Sequence, residues 1–224
     1  MRRVIAAAGA ALLLGAASVG SQRSTTSLGS PAPGVIRVRL DTSAGPITLA
    51  LDAKRAPVTT ANFLQYVDDG RFAGTTFYRA ARSKRRPGDG FIQGGIQTDI
   101  HRALPPIALE PTNRTGIRHG DATVSMARGE FTGSATGNFV LTVGPGAWMD
   151  ARPGQPGYAA FGRVVGGTDV VRRILAMPAG GGVYAMRGQM LVRPVRIARA
   201  VRLDGTPRPS GRPKVWLILK GRRG

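Results

Sequence analysis

The chain has 224 residues, 42% of them hydrophobic, enough for one domain with a full core and short extensions. It has no cysteine, which excludes disulfides, thiolate nucleophiles and thiolate-held metals. Its net charge of +20, from 32 basic and 12 acidic residues, favours anionic surfaces through an attraction that salt screens.

Met1-Arg2-Arg3 followed by the apolar run Val4 to Gly20 has the charged start and hydrophobic stretch of an export signal. The run falls slightly short of the about 20 apolar residues of a membrane span. Residues 1–20 therefore read as a signal peptide with cleavage after Ser18 or Gly20, and residues 21–34 as a linker. Export from a bacterial cell would place the mature chain in the periplasm; an uncleaved segment would tether it to the membrane.

Ile36, Val38 and Leu40 alternate with polar residues, and the alternation resumes at Ile47, Leu49 and Leu51 after Ser43-Ala44-Gly45-Pro46. Period two on both sides of a Gly-Pro turn predicts a β-hairpin. Pro57 suits a first helical turn, Ala61, Leu64 and Val67 recur at helical spacing, and Gly70 is a stop, which predicts a helix over 57–69. Between Thr75 and Val165 short apolar runs are divided by Gly, Pro, Asn and Asp, with 139–143 and 160–165 the clearest buried strands. Thr168 is expected to cap a second helix that buries Val170, Val171, Ile174 and Leu175 and ends before Pro178, and a last strand is expected at 191–202. Residues 205–224 hold six basic residues and no acid, and read as a flexible tail apart from the apolar run Val215-Trp216-Leu217-Ile218-Leu219.

Four short runs carry the chemistry, in this order: Phe77-Tyr78-Arg79, Phe91-Ile92-Gln93-Gly94-Gly95, Ser125-Met126-Ala127-Arg128 and Gly133-Ser134-Ala135-Thr136-Gly137-Asn138-Phe139. Together they resemble the cyclophilin family of peptidyl-prolyl cis-trans isomerases over residues 35–204. The resemblance implies a mainly β fold, a closed antiparallel β-barrel capped by two α-helices, acting as a monomer on proline-containing peptides and unfolded chains without a cofactor. It puts Arg79 at the catalytic arginine position, and Gln93 where a glutamine holds the substrate backbone and the arginine. Phe77, Phe91, Met126, Ala127, Asn138, Val140, Trp148, Met149 and Tyr158 fall at or beside positions that line the proline site.

The resemblance has departures. Arg128 stands for a common Asn, Asn138 for a common Gln, and Val140 for a Phe that lines the proline pocket, which should loosen proline binding. The loop between Arg79 and Gln93 is longer than usual and carries Arg82, Lys84, Arg85 and Arg86. His101 and His119 lack a third ligand at metal spacing, so no metal is expected. Ser125 and Ser134 show no pairing with His and Asp that would make either a nucleophile.

Rotation about a prolyl bond faces a barrier of ~20 kcal/mol because resonance stiffens the C–N bond. A catalyst needs neither nucleophile nor metal for this. It needs a donor near the prolyl nitrogen, which gains a lone pair as the bond turns, and arginine suits by its permanent, forked charge. Two other readings keep the residues and change the function. One is a binding module or chaperone for proline peptides, favoured by Val140 and Arg128. The other is attachment to an anionic surface through the basic loop and tail; nucleic acid is not the expected partner, since Arg-rich composition alone is weak evidence.

Overall fold

The computed structural model describes residues 32–212. The signal-peptide reading, most of the linker and the apolar run at 215–219 lie outside the described residues.

Strands β1 (Val35–Thr42) and β2 (Gly45–Asp52) form the expected hairpin. Its register sets Val38 opposite Leu49 and Leu40 opposite Ile47, so all four share one buried face. Helix α1 (Pro57–Asp68) follows, then β3 (Thr76–Arg82), β4 (Gly90–Gly95), the single helical turn α2 (Thr112–Thr115), β5 (Thr123–Met126), β6 (Asn138–Val143), β7 (Ala159–Gly166), helix α3 (Thr168–Ala176), the two-residue β8 (Ala179–Gly180) and the long β9 (Met190–Arg202). Every pairing is antiparallel, in the order β1-β2-β7-β5-β6-β4-β3-β9, and β9 pairs back onto β1. Eight strands thus close into a barrel, with β8 added on the flank of β9. Closure removes open strand edges that would otherwise pair with other chains.

The interior is filled by an aromatic cluster. Phe63 of α1 sits 5.0 Å from Phe72, 5.2 Å from Phe139 and 5.5 Å from Phe161, centroid to centroid, so the helix inserts its ring between strands β6 and β7. The N-terminus of α1 has no side-chain cap of its own. Instead the buried Glu110 carboxylate accepts from the backbone N–H of Val58 at 3.1 Å and of Thr59 at 2.7 Å, placing a negative charge on the positive helix end. Helix α3 buries Val170, Val171, Ile174 and Leu175 against the barrel, the face read from the sequence.

One expectation is corrected. Thr168 is the first helical residue of α3 and not its cap; Gly167 occupies the cap position at φ +77°, a turn that only glycine makes without strain. The described part of the C-terminal tail, 205–212, is hydrogen-bonded to the body. Arg208 N–H donates to Asp68 at 2.9 Å, Ser210 donates to Asp69 through both N–H and hydroxyl at 2.7 and 2.6 Å, and the buried Arg71 donates to Arg212 O at 3.1 Å. The paired acids at the end of α1 supply acceptors that composition alone did not reveal.

Candidate active site

The site lies on the outer face of the barrel wall formed by β3, β4, β5 and β6. Strict period two along β3 would send Phe77 and Arg79 to the same face. A bulge prevents this: Phe77 pairs with Gly94 and Arg79 with Gln93, so Tyr78 is the extra residue. Phe77 therefore points into the core and Arg79 points out. Gly94 is required opposite the Phe77 ring, since a Cβ there would come within 2.7 Å of it.

Arg79 is fixed on three sides. Its Nη1 donates to Gln93 Oε1 at 2.9 Å, its Nε to Gln189 Oε1 at 2.9 Å, and its Nη2 to Ala185 O at 3.2 Å. Its Cζ lies 5.1 Å from the centroid of the Phe91 ring. Burial pulls the Arg79 pKa below the usual guanidinium value, opposed by the nearby Tyr78 and Tyr158. A guanidinium remains charged at neutral pH all the same. Burial also pushes the Tyr78 phenol up to about 12, with Gln93 and Arg79 opposing, so Tyr78 stays neutral beside the cation.

In front of Arg79 opens a cavity of about 580 Å³. Phe91, Gln93, Met126, Ala127, Val140, Trp148, Met149 and Tyr158 line it, together with Arg128, Gly129, Glu130, Ala185 and Met186. Of the residues singled out from the sequence, nine besides Phe77 and Asn138 thus converge on one cavity. Trp148 is 57% exposed and forms the rim, whereas Met149 is buried. Met126 pairs with the inward Phe139, so it packs in the core while also lining the cavity.

Phe77 and Asn138 do not join them. Phe77 is 0% exposed and packs edge-on to Phe139 at 5.7 Å, so it belongs to the core and the reading of it as a substrate contact is corrected. Asn138 is spent on the turn after β4: its Oδ1 accepts from Gln97 N–H at 2.7 Å and its Nδ2 donates to Gln97 O at 2.8 Å. That turn holds Gln97 at φ +54°, and the asparagine brackets it from both sides. The same Oδ1 accepts the Tyr78 hydroxyl at 3.3 Å.

Arg128, read as a departure from the family, is a brace. It donates to Gly129 O and Glu130 O at 2.8 and 2.9 Å and to Gly157 O at 3.1 and 2.9 Å, and its guanidinium stacks 5.0 Å from the Tyr158 centroid. It joins the two loops that wall the cavity opposite Arg79. Gln189 was not anticipated at all. It lies 110 residues from Arg79, and nothing in the local pattern marks it.

The reading of Ser125 also needs correction, because it does meet a His and an Asp. Asp150 Oδ1 lies 2.7 Å from His119 Nδ1, and His119 Nε2 lies 2.8 Å from Ser125 Oγ. The chain is fully buried, lines no described cavity, and Ser125 Oγ also lies 3.1 Å from Ala159 O. It fixes the 3-10 turn Ala147–Met149 from behind, with Asp150 also accepting His119 N–H at 3.0 Å, and so seats Trp148 and Met149.

A closed barrel bearing one clamped guanidinium in an apolar outer cavity is a scaffold that can bind a peptide and polarise it. The family model for cyclophilin type peptidyl-prolyl cis-trans isomerases matches residues 37–202, and the chain belongs to that family. It is 40% identical over 139 residues to peptidyl-prolyl cis-trans isomerase A of Dickeya dadantii, covering 61% of this chain and 70% of that one. It is also 40% identical over 146 residues to peptidyl-prolyl cis-trans isomerase cyp18 of Streptomyces antibioticus, covering 64% and 85%. Among solved structures, a cyclophilin-type isomerase of Cryptosporidium parvum, determined in the presence of the dipeptide Ala-Pro, aligns with a TM-score of 0.61 at 18% identity, covering 75% of this chain and 99% of that one. That likeness bears out the closed-barrel fold.

Proposed function

We propose that this peptidyl-prolyl cis-trans isomerase works through Arg79 as its electrostatic centre, on Xaa-Pro bonds of exported chains. The observation that carries the mechanism is the clamp: three acceptors fix the guanidinium plane while further N–H groups on Nη1 and Nη2 remain for a ligand. As a prolyl bond twists, its nitrogen loses conjugation and gains a lone pair. A donor held there binds the twisted state better than either planar isomer, which is the condition for catalysis. Because the clamp is already formed, little reorganisation is needed when the substrate arrives. Val140, Met149, Trp148 and Tyr158 offer an apolar wall to the pyrrolidine ring, and the low polarity there strengthens the arginine's field. Gln93, whose carbonyl is committed to Arg79 and whose amide also reaches the Tyr78 hydroxyl, has a second amide N–H for the substrate backbone.

The test is isomerisation of a short Xaa-Pro peptide by the wild type beside Arg79→Ala. Loss of one such donor costs on the order of a hundredfold in rate, so the variant should fall by about that factor while circular dichroism stays unchanged. The exported location rests on residues 1–20, and cell fractionation with antibody detection tests it: recovery in the cytosol alone would overturn it.

A second reading is a proline-peptide chaperone of low turnover. Val140 favours it, since it leaves the cavity wider than an aromatic wall would. Tight binding of an Xaa-Pro peptide by a folded wild type that does not accelerate rotation would establish that reading instead.

A further inference from the structure

We infer that the basic loop between β3 and β4 builds a second subsite, contiguous with the catalytic cavity, that selects substrates carrying an acidic residue beside the prolyl bond; it rests on the isomerase reading above. A cavity of about 450 Å³ is lined by Arg82 at the end of β3 and by Arg85, Arg86 and Asp89 of this loop, and shares two residues, Phe91 and Trp148, with the cavity in front of Arg79. Their rings stand 6.2 Å apart. A chain leaving the proline site over this ridge enters the basic cavity directly.

The loop is held in place. Ser83 N–H donates to Asp89 O at 2.9 Å and closes the turn, and the Ser83 hydroxyl accepts from the N–H groups of both Arg85 and Arg86, at 3.3 and 3.1 Å. Arg82 is spent as an anchor: its Nε donates to Leu175 O at 2.7 Å and its Nη2 to Met177 O, at the C-terminal end of α3. There the helix dipole favours a cation.

Arg85 and Arg86 are different. Both side chains are exposed, and among the described residues neither makes an ion pair, although most other acids here are bound to arginines. The one carboxylate of this cavity, Asp89, faces Gly144, where a Cβ would fall 2.2 Å from its Oδ1. Two unpaired guanidinium groups beside an aromatic ridge match a carboxylate on an extended peptide, which arginine can grip with two parallel hydrogen bonds.

The experiment compares Xaa-Pro peptides that differ only by Glu or Gln, with the substitution walked along each side of the proline. At low salt one side should show a Glu:Gln ratio in kcat/KM of about fivefold, the upper range of an exposed ion pair, and the ratio should shrink as salt rises. The double variant Arg85→Glu, Arg86→Glu should invert the preference toward peptides with Lys, a result that loss of folding cannot produce. Fluorescence anisotropy of the same peptides reads the subsite separately from turnover. If no peptide isomerises, the isomerase reading fails, while salt-sensitive binding of the Glu peptide would still report the subsite. A ratio near one at every position, or a preference that survives the double variant, would overturn the inference. So would capture by phosphatidylglycerol vesicles through these two arginines without any peptide preference, which would assign the loop to a lipid surface.

Discussion

At Arg79, three protein acceptors meet a planar group, and only a guanidinium can satisfy them while still presenting donors outward. Gln189 shares this task but does not line the cavity in front of Arg79, so it is a positioning residue. Gln189→Ala should lower kcat by about tenfold, the lower end of what one hydrogen bond to a charged group is worth. KM and the melting temperature should stay unchanged, since a purely structural role would move the melting temperature. Behind the cavity, burial holds the His119 pKa below the usual histidine value against the pull of Asp150. A group depressed in this way contributes stability that is complete above its unfolded value of about 6.5 and is lost as pH falls through the folded value. Thermal unfolding followed from about pH 7 to about pH 5 should therefore show falling stability well above the range of the carboxylates, and His119→Asn should flatten that slope.

Among the elements, the bulge in β3 decides the site. Hydrophobic pattern alone assigns Phe77 and Arg79 to one face, and the Phe-Tyr-Arg run was legible only as a motif. The pairing that skips Tyr78 is a three-dimensional fact. The motif sets Phe77 beside Arg79 in the sequence, and the bulge turns it into the core. Asn138 was misread for a related reason, because its neighbour Gln97 adopts a backbone turn that no local signal announces. Helix α1 and the stretch after β9 form another such unit. Asp69 pairs with Arg71 at 2.8 Å, both nearly buried, and also holds Ser210. Asp69→Ala would leave a buried cation short of its partner, at a cost of about 3 kcal/mol. It should also release 205–212, measurable as faster amide hydrogen exchange at Ser210, whose N–H Asp69 accepts, beside the wild type.

For the whole molecule, the hairpin and both long helices are readable because each buries a periodic apolar face, whereas the closed barrel is legible only through the resemblance that the family motifs carry. What was not readable depends on contacts between distant segments: Gln189 on Arg79, Glu110 on the start of α1, and the His119 chain under Trp148. The barrel's role is to make those contacts permanent, so that the cavity is complete before substrate arrives. That claim of a prearranged charge is tested most directly by exchange spectroscopy at equilibrium on an Xaa-Pro peptide with catalytic amounts of wild type, Arg79→Lys and Arg79→Ala. The account predicts cis–trans exchange cross-peaks with the wild type, a large loss with Arg79→Lys despite its retained charge, and a loss on the order of a hundredfold with Arg79→Ala. Undiminished exchange with a folded Arg79→Ala would contradict it.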